Sequence, residues 1–388
     1  MKPVVETMDG EQVSEASGGA LGRAYEDLVG ELKRDLDGKQ STALLNDDVS
    51  TFGVPDPRIL ICGCGGSGNN TMNRITHLGV EGAITVAINT DKQHLDHTRA
   101  LQKLLVGRHI TRGLGAGGDP STGRKCAEAG RDVITQIVSG ADLVFITAGL
   151  GGGTGTGSAH VIARLARAEG ALTIAVVTYP FLSEGALRRQ NAEWGLERLR
   201  EVCDTVVVLP NERLLEVEGV RDLPLDAAFR VADELLIRSI AGVSEMISKE
   251  GVVNLDFQDL RSVMENGGGV AMIGLGEARG ENCAEKATDE ALESPLLDID
   301  ISDARGALVN VVGGPTLSLG DAEKCAQLIR DRINPYARII WGATTDDSMG
   351  DEIRVLLVLT GVKSEQIHGA ALHTQMRNLR TRTVEFVN

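Results

Sequence analysis

A glycine-rich run, Gly151–Gly157 with the sequence GGGTGTG, is the part of this chain best suited to bind a charged ligand. The apolar residues 142–148 before it predict a buried parallel strand, and residues 158–169 after it predict a helix. Because glycine has no side chain, a phosphate group can reach the N–H groups that the first turn of a helix leaves without partners. The alternative is a flexible or tightly packed glycine turn that binds nothing.

Two further glycine segments point to the same chemistry. Residues 63–68, GCGGSG, fit the dinucleotide pattern G-x-G-x-x-G after a predicted strand, and Asp91 ends the next strand, where a ribose ligand is expected. This pair favours a nicotinamide- or flavin-dependent oxidoreductase. Residues 113–118, GLGAGG, argue against it, because a dinucleotide site uses one such turn. There is no Walker A motif, so backbone N–H groups, helix dipoles and Mg²⁺ are expected to balance the phosphate charge.

The surrounding pattern predicts the elements that hold these segments. Short apolar strands alternate with helical stretches and predict a doubly wound, Rossmann-like α/β domain with its ligand crevice at the carboxyl ends of the strands. A long helix at about 225–249 then leads to a second, smaller α/β domain. The predicted strands are 59–62, 85–89, 143–147, 173–178 and 205–209, then 270–274, 308–312, 339–342 and 353–360, with later helices near 281–293 and 321–333.

These patterns divide the chain into five predicted segments. They are an acidic N-terminal extension at 1–57 with one amphipathic helix, a nucleotide-binding domain at 58–224, a central helix at 225–250, a C-terminal α/β domain at 251–362 and a tail at 363–388. The formal net charge of −16 over 388 residues argues against a nucleic-acid binder, which needs a basic surface. We expect a cytoplasmic protein without a membrane span, because the N-terminus is acidic and no apolar run is long enough. Six cysteines and seven histidines show no metal-ligand spacing.

The glycine run also resembles the signature of tubulin, and the chain from about 58 to 362 resembles the FtsZ family of tubulin-like GTPases of bacterial and archaeal cell division. Other motifs occur in the family's order: Asn89-Thr90-Asp91, residues 113–117, Pro180-Phe181 with Glu184-Gly185, Pro210-Asn211-Glu212, and residues 254–259. The resemblance implies the tubulin/FtsZ fold, binding of GTP or GDP with Mg²⁺, hydrolysis of GTP, and a head-to-tail filament that forms the division ring.

The resemblance also assigns residues to the nucleotide. Those at the phosphates and nearby are Gly66, Ser67, Gly68, Asn69, Asn70, Thr71, Asp91, Ala116, Gly117, Gly152, Gly153, Thr154, Gly155, Thr156 and Asn211. Glu184 and Arg188 match positions at the ribose and phosphates. Asn70 and Asp233 match positions that bind guanine, and Phe229 matches the residue that stacks on it. Phe229 and Asp233 are four residues apart on one helical face, which suits a shared ligand. The alternative is a core phenylalanine and a solvated aspartate.

Asp256 and Asp259 carry the expected catalysis. Taken locally, they are typical of a helix start, with Asp256 as N-cap and Asp259 in the first turn. The resemblance implies instead that their loop enters the nucleotide pocket of the next subunit. There both carboxylates would orient and polarise the water that attacks the γ-phosphate, with Asn254 helping to place it. A GTP-binding scaffold without turnover remains an alternative.

The expected partners are other copies of the chain, division proteins and membrane anchors at the division site. Bacterial relatives carry a long linker and a Pro-containing anchor peptide at the C-terminus, and residues 363–388 resemble neither. We therefore expect membrane tethering through the N-terminal extension, the short C-terminal end or a different partner.

Overall fold

The computed structural model of the protein describes residues 57–78, 80, 82–216, 220, 223–248, 253, 256–266, 269–294, 297 and 301–362. They belong to one compact unit, Asp56–Asn388. The predicted amphipathic helix of the N-terminal extension and the predicted tail lie outside the described residues, as does Asn254.

Within the described residues, ten strands form one mixed sheet. They are β1 (Ile59–Cys64), β2 (Ala83–Asn89), β3 (Gln102–Leu105), β4 (Leu143–Gly149), β5 (Leu172–Tyr179), β6 (Thr205–Pro210), β7 (Gly269–Arg279), β8 (Gly306–Gly313), β9 (Arg338–Thr345) and β10 (Glu352–Thr360). Their order is 3-2-1-4-5-6-7-10-8-9. Strands β1 to β6 are parallel, β7 and β8 are antiparallel to β10, and β8 and β9 are parallel.

Twelve α-helices connect these strands within the described ranges. They are α1 (Gly65–Leu78), α2 (Lys92–His97), α3 (Arg108–Thr111), α4 (Pro120–Ala129), α5 (Arg131–Val138), α6 (Thr154–Ala168), α7 (Ala186–Val202), α8 (Asn211–Leu214), α9 (Leu225–Ser248), α10 (Phe257–Asn266), α11 (Cys283–Leu292) and α12 (Leu319–Arg332). The long helix begins at Leu225, as predicted, and the structure describes it as far as Ser248.

Both faces of the sheet are covered. In β1, Ile59 and Ile61 pack with α1 and α9 on one face, while Leu60 and Cys62 pack with α6 and α7 on the other. Burial on both sides explains why these strands are continuous apolar runs rather than alternating ones. A third cluster joins α11 and α12 to β8 and β10.

The strand order locates the ligand crevice. Strands β1 and β4 are neighbours, yet the helices that follow them, α1 and α6, pack mainly on opposite faces of the sheet. Doubly wound folds bind ligands at this switch point, beyond the carboxyl ends of the strands. Both glycine segments follow β1 and β4 directly, as the sequence predicted.

Several predicted boundaries were wrong. Helix α6 begins at Thr154 rather than Ser158, so Gly155 and Gly157 are helical. The first strand was predicted to end at residue 62, but β1 continues to Cys64, and α1 begins at the next residue. Strand β3 was not predicted, because its four residues alternate little and are mostly polar or half-buried. The sheet also continues from β6 into β7 through Thr205–Val207 and Gly269–Ala271, across the predicted domain border.

Candidate functional site

A cavity of about 470 Å³ opens at the carboxyl ends of β1, β4, β5 and β6. It combines backbone-rich glycine segments, hydroxyl and amide groups, few charged side chains and one aromatic ring. Its walls are Gly66, Ser67, Asn70, His94, Gly149, Leu150, Gly152, Gly153, Thr154, Gly155, Thr178, Pro180, Glu184, Arg188, Asn211, Phe229, Ala232 and Asp233. Twelve of these were predicted from the sequence to contact the nucleotide.

The glycines of the 151–157 run serve two different purposes. Gly152 lines the cavity, and a Cβ there would meet no atom within 4 Å. Gly157 lies against α4, where a Cβ would approach the Pro120 carbonyl oxygen to 2.2 Å and the Arg124 nitrogen to 2.6 Å. Thr156 is buried, and its hydroxyl accepts a hydrogen bond from the Gly151 N–H at 2.9 Å. It therefore shapes the run from behind instead of lining the cavity.

The first turn of α1 forms the opposite wall. Gly66 and Ser67 line the cavity, whereas Gly68 is packed against β4, where a Cβ would lie 2.5 Å from the Thr147 carbonyl oxygen. Asn69 is fully buried. The N-termini of α1 and α6 both lie at the cavity. Helix N-termini attract anions through their free N–H groups and their dipoles.

The third glycine segment lies one layer farther from the cavity. Ala116 packs against Gly153, and Gly117 has a positive φ of 61°. The segment is tied to the end of β2 by the Gly115 N–H, which donates to the Thr90 carbonyl at 3.3 Å. Asp91, expected at a ribose, caps α2 by accepting from the His94 N–H at 3.0 Å. None of these three predicted residues is part of the cavity wall.

Polar groups that can bind a ligand hydroxyl lie beside the ends of β5 and β6. Glu184 accepts from the Phe181 N–H at 2.9 Å and forms an ion pair with Arg188. Asn211 is 5% exposed, and its Oδ1 has no hydrogen-bond partner among the described residues. A buried carbonyl oxygen without a partner is costly, and a ligand hydroxyl would satisfy it.

The far end of the cavity has the features of a base pocket. Phe229 is 38% exposed, and its ring meets Phe181 edge to face with 5.5 Å between centroids. One turn later, Asp233 is 9% exposed and faces α1. Asn70, an exposed residue of α1, lines the same cavity. An exposed ring beside a carboxylate and an amide can stack on a flat base and bind its polar edge.

The charge balance of the cavity is unusual for a phosphate site. Arg188 is the sole lysine or arginine in its described wall, and it is already paired with Glu184. Beneath the glycine segments, burial raises the pKa of the Cys62 thiol to about 12 and also raises the pKa of Cys64, so both stay neutral. A phosphate bound here would find mainly backbone N–H groups as partners from the described wall.

Asp256 and Asp259 lie outside this cavity, at the start of α10. Asp256 caps the helix by accepting from the Gln258 N–H, and Asp259 is paired with Arg338 at 3.3 Å. Helix α10 lies at the amino-terminal ends of the parallel strands, where Arg261 donates to the Gly170 carbonyl just before β5 at 3.1 Å. A larger cleft of about 870 Å³ lies at that edge, lined by acids and bases in similar number.

Sequence reasoning missed six residues of the cavity wall. They are His94, Gly149, Leu150, Thr178, Pro180 and Ala232. Five of them adjoin a predicted strand end or a predicted ligand residue, and that adjacency is a signal that could have found them. His94 follows Asp91 by three residues, on the helix that Asp91 caps.

Comparisons with known proteins identify the family. Residues 58–219 match the tubulin/FtsZ family GTPase domain, and residues 269–363 match the FtsZ family C-terminal domain. Cell division protein FtsZ 1 of Archaeoglobus fulgidus is 54% identical over 311 residues, 80% of this chain and 84% of the relative. Cell division protein FtsZ of Methanothermobacter thermautotrophicus is 52% identical over 313 residues, 81% of each protein.

Solved structures of FtsZ and CetZ proteins have a similar fold. An empty FtsZ dimer from M. jannaschii has a TM-score of 0.76 at 48% identity and covers 85% of this chain and 92% of its own. A GTPγS-bound CetZ2 protofilament from Haloferax volcanii has a TM-score of 0.69 at 23% identity, covers 84% of this chain and 100% of its own, and shares the fold.

Fold and site together define a GTPase of the tubulin-like class. The chain belongs to the FtsZ family, whose members are polymerising cell-division GTPases. The oxidoreductase interpretation of residues 63–68 and Asp91 is therefore wrong, and the capping role of Asp91 removes its local support. No helix in the described ranges has the length and apolarity needed to cross a bilayer.

Proposed function

We propose that this chain hydrolyses GTP at a site shared by two subunits of a head-to-tail filament, so that hydrolysis depends on assembly. One subunit binds GTP in the 470 Å³ cavity, and the next supplies Asp256, Asp259 and Asn254. The product is a homopolymer of the division ring in the cytoplasm. Other division proteins and membrane anchors would attach it at the division site.

The separation of acids and cavity supports this proposal. The carboxylates in the described cavity wall are Glu184, which is paired with Arg188, and Asp233, at the base end. Asp256 and Asp259 belong to a helix that lies at the amino-terminal ends of the strands, opposite the cavity. A six-residue strand spans about 20 Å, so these acids cannot reach the cavity of their own chain. Surfaces at opposite edges repeat without closing and build a filament.

The residues of the cavity wall divide by the part of the nucleotide that they bind in this proposal. The first turns of α1 and α6 bind the phosphates through Gly66, Ser67 and residues 152–155. Glu184, Arg188 and Asn211 bind the ribose side, Phe229 stacks on guanine, and Asp233 accepts from its N1–H and 2-amino groups, which adenine lacks.

At the partner's edge, Asp259 and Asp256 would orient and polarise the attacking water. Positioning and charge placement account for most catalysis in phosphoryl transfer, because the transition state is loose and little covalent chemistry is required. Asp256 already uses one carboxylate oxygen as a helix cap, so its position is set by α10. Asp259 is 47% exposed on its side chain and is the freer of the two to face a neighbour.

Magnesium is expected with the nucleotide. No group of three or more His, Cys, Asp or Glu side chains in the described part of the chain could hold a metal ion. Mg²⁺ commonly binds through substrate phosphates, water and one or two protein oxygens. The hydroxyl groups of Ser67 and Thr154 in the cavity wall suit that role, and the ion would neutralise phosphate charge when bound.

Light scattering and phosphate release after addition of GTP and Mg²⁺, over a range of protein concentrations, test the proposal. We expect turnover per subunit to rise steeply at the concentration where scattering begins. Asp259→Ala should retain GDP binding and lose turnover. Turnover per subunit that stays constant below the assembly threshold would refute the shared site, and filaments without turnover would favour the scaffold alternative.

A mixing experiment tests the sharing directly. Asp233→Ala impairs the cavity and keeps the acids, whereas Asp259→Ala keeps the cavity and loses an acid. Each variant alone should be nearly inactive. Mixed in equal amounts, they should regain turnover, because a quarter of random head-to-tail contacts join an intact cavity to an intact acid loop. A mixture no more active than its parts would contradict the proposal.

A further inference from the structure

The ion pair between Asp233 and Arg74 points to a residue that controls base recognition from outside the cavity. Arg74 is on α1 and does not line the cavity, and its Nη2 lies 3.7 Å from Asp233 Oδ2. The two side chains are 29% and 13% exposed. A pair so little exposed is screened less by solvent than a surface ion pair.

Arg74 is held on α9 at two points. Its Nη1 donates to the carbonyl oxygen of Arg230 at 2.9 Å, while its Nη2 faces Asp233 three residues later. A planar guanidinium bound at two points has little freedom to rotate. Its charge is therefore fixed relative to Asp233 before any nucleotide arrives.

Thr71 makes the second observed contact, and it is the weaker one. Its hydroxyl lies 3.4 Å from Asp233 Oδ1 and 3.2 Å from the Ser67 carbonyl oxygen. A hydroxyl has one proton, so Thr71 cannot donate fully to both acceptors. Of these two contacts, the one with Arg74 carries a full charge, so Arg74 has the stronger effect on the orientation of the carboxylate.

We propose that Arg74 is a positioning residue for guanine recognition. It holds the Asp233 carboxylate in an orientation that lets it accept hydrogen bonds from the base. This inference rests on the proposed role of Asp233 in binding guanine. Arg74 itself does not touch the base or the phosphates.

The test compares GDP with IDP, which lacks the 2-amino group, by competition binding below the assembly threshold. In Arg74→Gln we expect GDP affinity to fall about tenfold, by analogy with the smaller losses found when residues that orient metal ligands are replaced. IDP affinity should fall less, because one of the donors that Asp233 reads is missing. Arg74→Lys should restore part of the preference for GDP over IDP. In Arg74→Gln, kcat for GTP under saturation should stay unchanged.

Arg99→Gln is the matched control. Arg99 lines the same surface groove as Arg74, beside α1 and α2, so its removal changes the local charge equally. It should leave both affinities unchanged. Equal losses of GDP and IDP affinity in Arg74→Gln, or a fall in melting temperature that explains the loss, would overturn the inference.

Asp233→Ala separates this inference from the proposed function. If Asp233→Ala lowers the GDP to IDP preference and Arg74→Gln does not, the role of Arg74 is refuted and base recognition stands. If neither variant changes the preference, recognition by Asp233 itself is refuted.

Discussion

Replacing Gly157 by alanine should destabilise the fold without touching the nucleotide. The new Cβ would lie 2.2 Å from the Pro120 carbonyl oxygen, 2.6 Å from the Arg124 nitrogen and 2.9 Å from the Gly123 carbonyl carbon. All three are backbone atoms of α4, so no side-chain rotation relieves the contact. The helices must separate by roughly 1 Å to restore ordinary van der Waals distances.

The magnitude follows from two opposing effects. Alanine is favoured over glycine in a helix by about 1 kcal/mol. Overpacking a tight interface costs about 1–3 kcal/mol, occasionally more, and an approach of 2.2 Å to backbone belongs at the upper end. We therefore expect a net loss of about 2 kcal/mol in the free energy of unfolding. At 2–4 °C for each kcal/mol, the melting temperature should fall by about 4–8 °C.

Gly152→Ala is the control within the same run. A Cβ there meets no atom within 4 Å but projects from the cavity wall. Its free energy of unfolding should stay within about 0.5 kcal/mol of the parent. Its GDP affinity should fall about tenfold, equivalent to ~1.4 kcal/mol, because the methyl group occupies space next to the phosphates.

The assays are urea unfolding without nucleotide and GDP competition binding. Gly157→Ala should be less stable, whereas Gly152→Ala should bind more weakly. The reasoning is refuted if both variants lose the same stability, or if Gly157→Ala melts with the parent.

Three further predictions concern stability and assembly. Asp119 caps α4, and hydrogen bonds from the Thr122 hydroxyl and then the Ser121 N–H lower its pKa below the ordinary 3.8. Asp119→Ala should cost about 1 kcal/mol of unfolding free energy at neutral pH. Urea titrations should show that cost vanishing as the pH falls below 4. Burial lowers the pKa of His160 from 6.5 to about 4, so the unfolded chain takes up a proton that the folded one does not. Stability should therefore fall between pH 6.5 and pH 4 in urea titrations, and less so in His160→Phe. Arg338→Gln should change stability by under about 1 kcal/mol yet raise the critical concentration for assembly, because Asp259 would approach the triphosphate without its cation. Sedimentation of filaments by centrifugation measures that concentration.

Local pattern predicted the elements of this protein well. Apolar runs such as 143–147 and 205–209 identify buried strands, and the spacing of Leu236, Ile240 and Val243 identifies the long helix. These signals depend on residues close in the chain, so they survive without knowledge of the fold. Weak signals failed, as in the half-buried strand β3.

The candidate site was predicted in part by local pattern and in part by family resemblance. Strand-to-helix glycine segments predicted a phosphate site from local chemistry alone. Phe229 and Asp233 needed the resemblance, because a ring and a carboxylate four residues apart also suit an ordinary surface helix. Asp91 shows the reverse case, since its position suggested a ribose ligand and the structure shows its carboxylate capping a helix.

By itself, then, the sequence determined that glycine follows two buried strands and that phosphate charge must be met without a Walker lysine. Only the tertiary structure decided which glycines line the cavity and which let α4 and α6 touch, since a missing side chain looks the same in both roles. It also decided that Arg74 meets Asp233 across 159 positions and that α10 is bound at the opposite edge of the sheet. Such contacts arise from strand order and crossovers, which local periodicity does not encode.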